Sequence, residues 1–366
     1  MVIKRFRAEN FRNIESCDIE FDSGVNLLYG NNAQGKTNAV EGIYVFARGK
    51  SFRASEDKEL IKFSKDGFRI YIEYEDKSGK NTLEYALFGR ERRRKKNGYK
   101  INNIREMIGG FKAVLFYPDD LGLIKDSPEN RRSFLNVAIS QCYDFYIGYY
   151  SNYKKALENR NCILKQASKG NTVDENELIS WSYYMAEYAS YINVMRREYV
   201  ERLEKYVRDI MNDISDGKEN IEIYYKSDVE GSYKTRDEVF SDYKLRLTQN
   251  IEREKIVGSS LYGVHRDDLV ININGNSARL FASQGQQRSI VLALKLAEGE
   301  VNREICGEYP VFLFDDVLSE LDDRRKKYIL DGIGERQIII TSCEKDTEGM
   351  KDIRRIEVSS GIYSYN

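Results

Sequence analysis

The chain has 366 residues, long enough for about two domains, and its 58 Lys and Arg are balanced by 59 Asp and Glu, which excludes a uniformly basic coat for nucleic acid. No apolar run approaches the roughly 18 residues of a membrane span, and the start "MVIKRFRAENFRNIES" has no apolar signal core. The five cysteines are scattered, never in a C-x-x-C pair, which argues against a disulfide framework or zinc site and for the cytoplasm.

In chain order, "VIKRFRAENF", "SCDIEF" and "VNLLY" read as short strands, and the third runs into a glycine loop followed by the helical "TNAVEGIYVFARG". "FRIYIEYED" and "NTLEYALFG" alternate as antiparallel strands around the turn "KSGK". The run "GRERRRKKNGYK" (89–100) reads as a solvated loop or a local basic patch, and "YKINN" and "FKAVLFY" as further strands. Ser127 as N-cap with Pro128 at the first helical position starts a helix through "ENRRSFLNVAIS".

Between about 175 and 214, Trp181, Met185, Tyr188, Ile192, Met195, Tyr199, Leu203, Tyr206 and Ile210 recur at steps of three and four, the stripe of a packed helix. It spans only about five heptads, too short for the arm of a chromosome tether. "IEIYYKSD" returns to strand character, and from "HRDDLVININGNSARL" strand and helix alternate. A helical lobe (118–235) is therefore expected inside an α/β unit whose halves lie at 1–117 and 236–366.

"GNNAQGKT" (30–37) fits G-x-x-x-x-G-K-[ST] with a strand before it and a helix after it. Average residue usage makes a chance match in such a chain on the order of one per cent. Gly30, Asn31, Asn32, Ala33, Gln34, Gly35, Lys36, Thr37 and Asn38 are thus the candidate phosphate cradle, with Lys36 on the β/γ oxygens and the Thr37 hydroxyl on Mg²⁺. "VFLFDD" (311–316) has the form of a buried parallel strand with acids at its carboxyl end. Asp315 would hold Mg²⁺ through water and Asp316 would polarise the attacking water, which favours hydrolysis over transfer. Ser283-Gln284-Gly285-Gln286-Gln287, at the start of the helix through "RSIVLALKLAEGE", reads as an N-cap or as a second phosphate-seeking helix start. The two phosphate elements would have to face one nucleotide, as they do when two copies pack head to tail.

The loop, S-Q-G-Q-Q-R, the Asp-Asp strand and "LSELDDRR" (318–325) together resemble the ABC-type ATPases of DNA repair, and nearly end to end the RecF family. "FRN" (11–13), "GKSFR" (49–53), "PDDLGLIKDSPENRRSFLN" (118–136) and "GVHRDDL" (263–269) are similar to segments of that family, although Val264 stands where it has proline. The resemblance implies an ABC-type P-loop ATPase lobe, a mixed sheet with an antiparallel β subdomain, and an inserted helical lobe. It implies that Arg12 and Asn13 approach the nucleotide and that Ser283, Gly285 and Gln286 contact the γ-phosphate held by a second copy. Ser319, Glu320, Leu321 and Asp322 resemble the loop that crosses the dimer interface, and Thr341 lies where many relatives have a switch histidine. The γ-phosphate sensor near Tyr117-Pro118-Asp119 is unplaced, and the lone His265 reads as structural or as an interface residue.

The implied activity is slow, DNA-stimulated ATP hydrolysis with Mg²⁺, driving an ATP-dependent homodimer on gapped or junction DNA. RecR, RecO and, indirectly, RecA are the implied partners. Arg92, Arg93, Arg94, Lys95, Lys96, Arg131 and Arg132 are candidate DNA-phosphate contacts. A small-molecule kinase, a transporter ATPase subunit and a chromosome-organising ATPase are the rival readings.

Overall fold

Strand type follows hydrophobic pattern. Runs that are apolar at nearly every position become buried parallel strands, and most runs that alternate become antiparallel strands with one polar face. The computed structural model describes residues 1–229, 235–318, 321–331, 334–345 and 353–365. In chain order it begins with β1 (Val2–Phe11), β2 (Ile14–Glu20), β3 (Val25–Tyr29), α1 (Lys36–Arg48), β4 (Gly67–Asp76), β5 (Gly79–Phe88), β6 (Glu91–Lys96), β7 (Tyr99–Lys100) and β8 (Ala113–Phe116). Then come α2 (Gly122–Lys125), α3 (Pro128–Cys142), α4 (Tyr146–Ala167), α5 (Glu175–Ser215), β9 (Ile221–Lys226), α6 (Arg236–Gln249), α7 (Ile251–Val257), β10 (Asp268–Ile273), β11 (Asn276–Ser277) and α8 (Ala278–Phe281). The chain continues through α9 (Gln284–Cys306), β12 (Val311–Phe314), α10 (Asp323–Asp331), β13 (Ile338–Ser342), β14 (Ile353–Ser359) and β15 (Ile362–Tyr365).

The first of two compact units comprises 1–121, 209–219 and 283–366. One of its sheets has the order β15-β14-β3-β13-β12-β8, parallel except at the β14–β15 hairpin. The other is antiparallel, β2-β1-β4-β5-β6-β7. Helix α1 contributes Ala39, Val40, Ile43 and Phe46 to one core with Phe6 and Phe11 of the antiparallel sheet and Leu28, Leu313 and Ile339 of the parallel one. Gly42 in mid-helix follows from this packing, since a Cβ there would lie 2.6 Å from the Phe6 ring. This is the ABC-type lobe expected from the motifs.

The basic run 89–100 is neither loop nor coil. It forms β6 and β7 on the open edge of β5, turned by Asn97 and Gly98, both with positive φ. Charges along an outermost strand oppose further pairing, so composition that looks loop-like is well suited to an edge.

The second unit comprises 122–208 and 220–282, so residues 236–282 pack with the helices, whereas the sequence grouped them with the C-terminal ATPase half. The reason is the small sheet β11-β10-β9: the strands at 221–226 and 268–273 pair with each other instead of joining the parallel sheet. Helix α5 follows the expected stripe, with Met185, Ile192, Tyr199 and Leu203 buried. Its interior also holds charge. Arg160 donates to Ser182, Ser260, the Leu247 carbonyl and, at 2.6 Å, Glu254, with both ion-pair partners fully buried. Arg196 donates to Tyr146, Tyr225, the Val264 carbonyl and Asn136. His265 belongs to the same polar interior: its Nδ1 is 2.6 Å from the Tyr153 hydroxyl, and burial lowers its pKa to about 4.

Candidate active site

β3 delivers the chain to a loop that only special residues can follow. Gly30 and Gly35 have φ of 151° and 117°, and a Cβ on Gly30 would lie 2.2 Å from the Val358 carbonyl oxygen. Gly35 ends in the left-handed region, so α1 starts without a side-chain cap and without an acid in its first turn. Uncapped N–H groups at the positive end of a helix dipole are an anion site. The Lys36 ammonium, 3% exposed, folds back onto the carbonyls of Gly30 (2.7 Å) and Asn31 (3.0 Å).

Other elements fix the loop from outside. Asn13 donates to the Ala33 carbonyl at 3.1 Å and accepts from Asn38 at 2.6 Å. The β14–β15 turn supplies the Ser360 and Gly361 N–H groups to Gln34, and the Tyr363 hydroxyl donates to the Gly35 carbonyl. The Cys343 thiol donates to Asn32. A "SSG" turn between two alternating segments could have signalled the hairpin, but nothing in it signalled the loop it supports.

The acids enter from β12. Asp315 is 4% exposed and its Oδ1 accepts from the Thr37 and Thr341 hydroxyls, each at 2.9 Å. Burial first, and then the neighbouring Asp316 charge, push its carboxyl up to about 6, against the pull of the two hydroxyls. Thr37 and Asp315 therefore present hard oxygen donors side by side, a set that fits Mg²⁺. Asp316 sits in the left-handed region, φ 53°, with its N–H donated to Thr341 at 2.9 Å.

At α9, Ser283 caps its own helix. Its hydroxyl accepts from the Gln286 N–H and its N–H donates to the Gln286 side chain, a complete capping box. The Gly285 carbonyl accepts from Arg325. These partners lie in α9 and α10 and not in the loop 30–37. Leu321 is buried and Asp322 pairs with Arg325, while Ser319 and Glu320 lie outside the described residues.

Arg12 pairs with the helix that follows the loop. Its guanidinium forks onto Glu41 at 2.6 and 2.9 Å, and Glu41, fully buried in α1, also accepts from Ser51. Glu41 is hidden in an apolar helical run, and its partners are remote in sequence. Near the unplaced sensor, buried Asp120 meets Lys295 at 3.0 Å. Next to them burial raises the Glu298 carboxyl to about 7.

Among the DNA candidates, Arg92, Arg93 and Lys95 are about half exposed on β6, in pairs with Asp57, Glu91 and Glu84. Pairs whose cation is half exposed contribute little to stability. Arg94 lies over the Tyr85 ring at 5.0 Å and Lys96 is half-buried. Arg131 is a correction: it is 5% exposed and forks onto Asp268 at 2.7 and 3.0 Å, with further bonds to the Leu123 and Asp126 carbonyls. Arg132 donates to the Asp267 carbonyl. With four of its five N–H donors spent inside the fold and its side chain buried, Arg131 is poorly placed to reach a DNA phosphate.

The family model for the RecF/RecN/SMC N terminal domain matches residues 2–363. The chain belongs to this family. Within it, the chain is 41% identical over 358 residues to the DNA replication and repair protein RecF of Clostridium novyi (strain NT), covering 97% of this chain and 95% of that one. The RecF of Clostridioides difficile (strain 630) is 36% identical over 364 residues, with 98% and 96% covered. A solved structure described as the recombination mediator protein RecF-ATPrS in the RecFOR pathway superposes with TM-score 0.92 at 35% identity, covering 99% of this chain and 97% of that one. The Smc head domain of Pyrococcus furiosus, bound to the C-terminal domain of ScpA, has TM-score 0.58 at 17% identity over 100% and 96% of the two chains, and shares the fold alone. No helix among the described residues is long and apolar enough to cross a membrane.

Proposed function

We propose that this chain is a RecF-type protein of DNA replication and repair that works as an ATP-gated clamp. ATP on the phosphate loop of one copy is closed by the α9 start of a second, the dimer holds DNA at gaps or junctions, and slow hydrolysis, stimulated by DNA, releases it. RecO and RecR are the partners in this reading, and RecA loading is the outcome.

The observation that carries the reading is the state of the two phosphate elements. The loop's Lys36 and Thr37 rest on neutral or acidic groups of their own site, and the α9 start is closed on itself by its capping box. Each is a formed but self-satisfied half. Lys36 would exchange its two carbonyls for phosphate oxygens, which give its ammonium the counter-charge that neutral carbonyls do not. Thr37 and Asp315 would hold Mg²⁺, which supplies charge neutralisation on the phosphates when bound. Asp316 would take the proton of the attacking water. ATP is then a ligand that shifts a monomer–dimer equilibrium through contacts made only in the dimer.

Sedimentation with and without a slowly hydrolysed ATP analogue, and with gapped DNA as a third condition, tests this. A dimer appearing only with nucleotide supports it; a chain that stays single with nucleotide and DNA yet hydrolyses at full rate ends it.

A further inference from the structure

β13 lies between β3 and β12, parallel to both, with Ile340 level with Leu27 on one side and Phe314 on the other. The next residue, Thr341, still pairs with Leu28 of β3 but lies level with the point where β12 ends and the acids begin. It is 1% exposed. Its Oγ1 accepts the Asp316 N–H at 2.9 Å and lies within donating distance of Asp315 Oδ1 (2.9 Å) and Asp316 Oδ1 (3.3 Å).

A hydroxyl has one hydrogen, so it serves one carboxylate at a time, while its lone pair holds the Asp316 amide throughout. Asp315 Oδ1 has a second donor in Thr37, also at 2.9 Å. The bond to the Asp316 amide matters more because Asp316 is left-handed, φ 53°, a conformation uncommon for residues with a Cβ, though aspartate enters it more readily than most. Strain of this kind persists only when neighbours over-determine it.

We propose that Thr341 is a positioning residue for hydrolysis: its hydroxyl clamps the left-handed turn at Asp316 and so aims that carboxylate at the water. The inference rests on the reading of Asp316 as the base. It gives Thr341 a task that a histidine in its place could not do in the same way, because one oxygen here both accepts from the main chain and donates to a carboxylate. A residue that merely fills a strand end would need the volume of threonine and not its hydroxyl.

The test compares Thr341→Val, which keeps the shape, with Thr341→Ser, which keeps the hydroxyl, and with Asp316→Asn. Amide exchange of the segment 311–318 is followed by mass spectrometry in nucleotide-free protein, together with calorimetric affinity for a slowly hydrolysed ATP analogue and the ATP turnover number. Thr341→Val should speed exchange at Asp316 about tenfold, since a buried donor loses its partner. It should leave analogue affinity within about threefold and lower turnover about 30- to 100-fold, the scale of a misplaced reacting group. Thr341→Ser should restore exchange and turnover to within about threefold of wild type. Unchanged exchange and turnover in Thr341→Val would overturn the clamp, and so would a serine variant as slow as the valine one. An Asp316→Asn chain that hydrolyses at the wild-type rate removes the base itself, and is distinguished from failure of the clamp because exchange reports the Thr341 bond without turnover.

Discussion

The helical unit and the phosphate loop both bury charged side chains, and they treat them differently. In the helical unit Arg160 meets a carboxylate, two hydroxyls and a carbonyl, and every one of those partners belongs to the fold. At the phosphate loop the Lys36 ammonium has only carbonyls and a distant thiol, and buried Asp315 has only hydroxyls as its hydrogen-bond donors among the described residues. A buried ion matched by a counter-ion of the chain is architecture. A buried ion on neutral partners can exchange them for those of a ligand.

The sharpest way to break that distinction is to remove one partner from each. Glu254→Gln strands the Arg160 charge and should destabilise the helical unit by about 3–5 kcal/mol in urea unfolding, with no loss of nucleotide affinity in chains that remain folded. Lys36→Ala should do the opposite: stability within about 1 kcal/mol of wild type, but nucleotide affinity down on the order of a hundredfold by calorimetry, and dimer formation lost with it. Equal destabilisation by the two would erase the difference.

The pH dependence sharpens it further. Asp315 is raised to about 6, so its contribution to the ligand-free fold is present below the unfolded carboxylate range and fades as pH rises through about 6. A protonated Asp315 holds no cation, so stabilisation by nucleotide with Mg²⁺ should move the other way and shrink as pH falls through about 6. Melting curves with and without the analogue, across that window, check both signs. The smallest effect is expected at β6, where Arg93→Ala should lower the salt-dependence slope of DNA binding by about 0.9, one phosphate contact, and leave ATP turnover without DNA unchanged.

The phosphate loop, the Asp-Asp strand, the α9 cap and the long stripe of α5 were all legible because each is a local pattern with its own period or spacing. What escaped has partners far away along the chain. Glu41 needs Arg12 and Ser51, and Lys295 needs Asp120; from sequence these are polar residues interrupting apolar helices. Arg131 looked like a surface cation because its bidentate partner, Asp268, is 137 residues further on. The β6 run misled for a different reason: charge composition reports exposure, and an edge strand is exposed. The grouping of 236–282 turned on which strand β10 pairs with, a choice that alternating hydrophobicity leaves open.

The hairpin at Ser360 and Gly361 grips Gln34 from 326 residues away. The loop around Gly35 is therefore translated long before the turn that braces it. A polypeptide not yet made as far as this turn would thus carry an unfinished cradle.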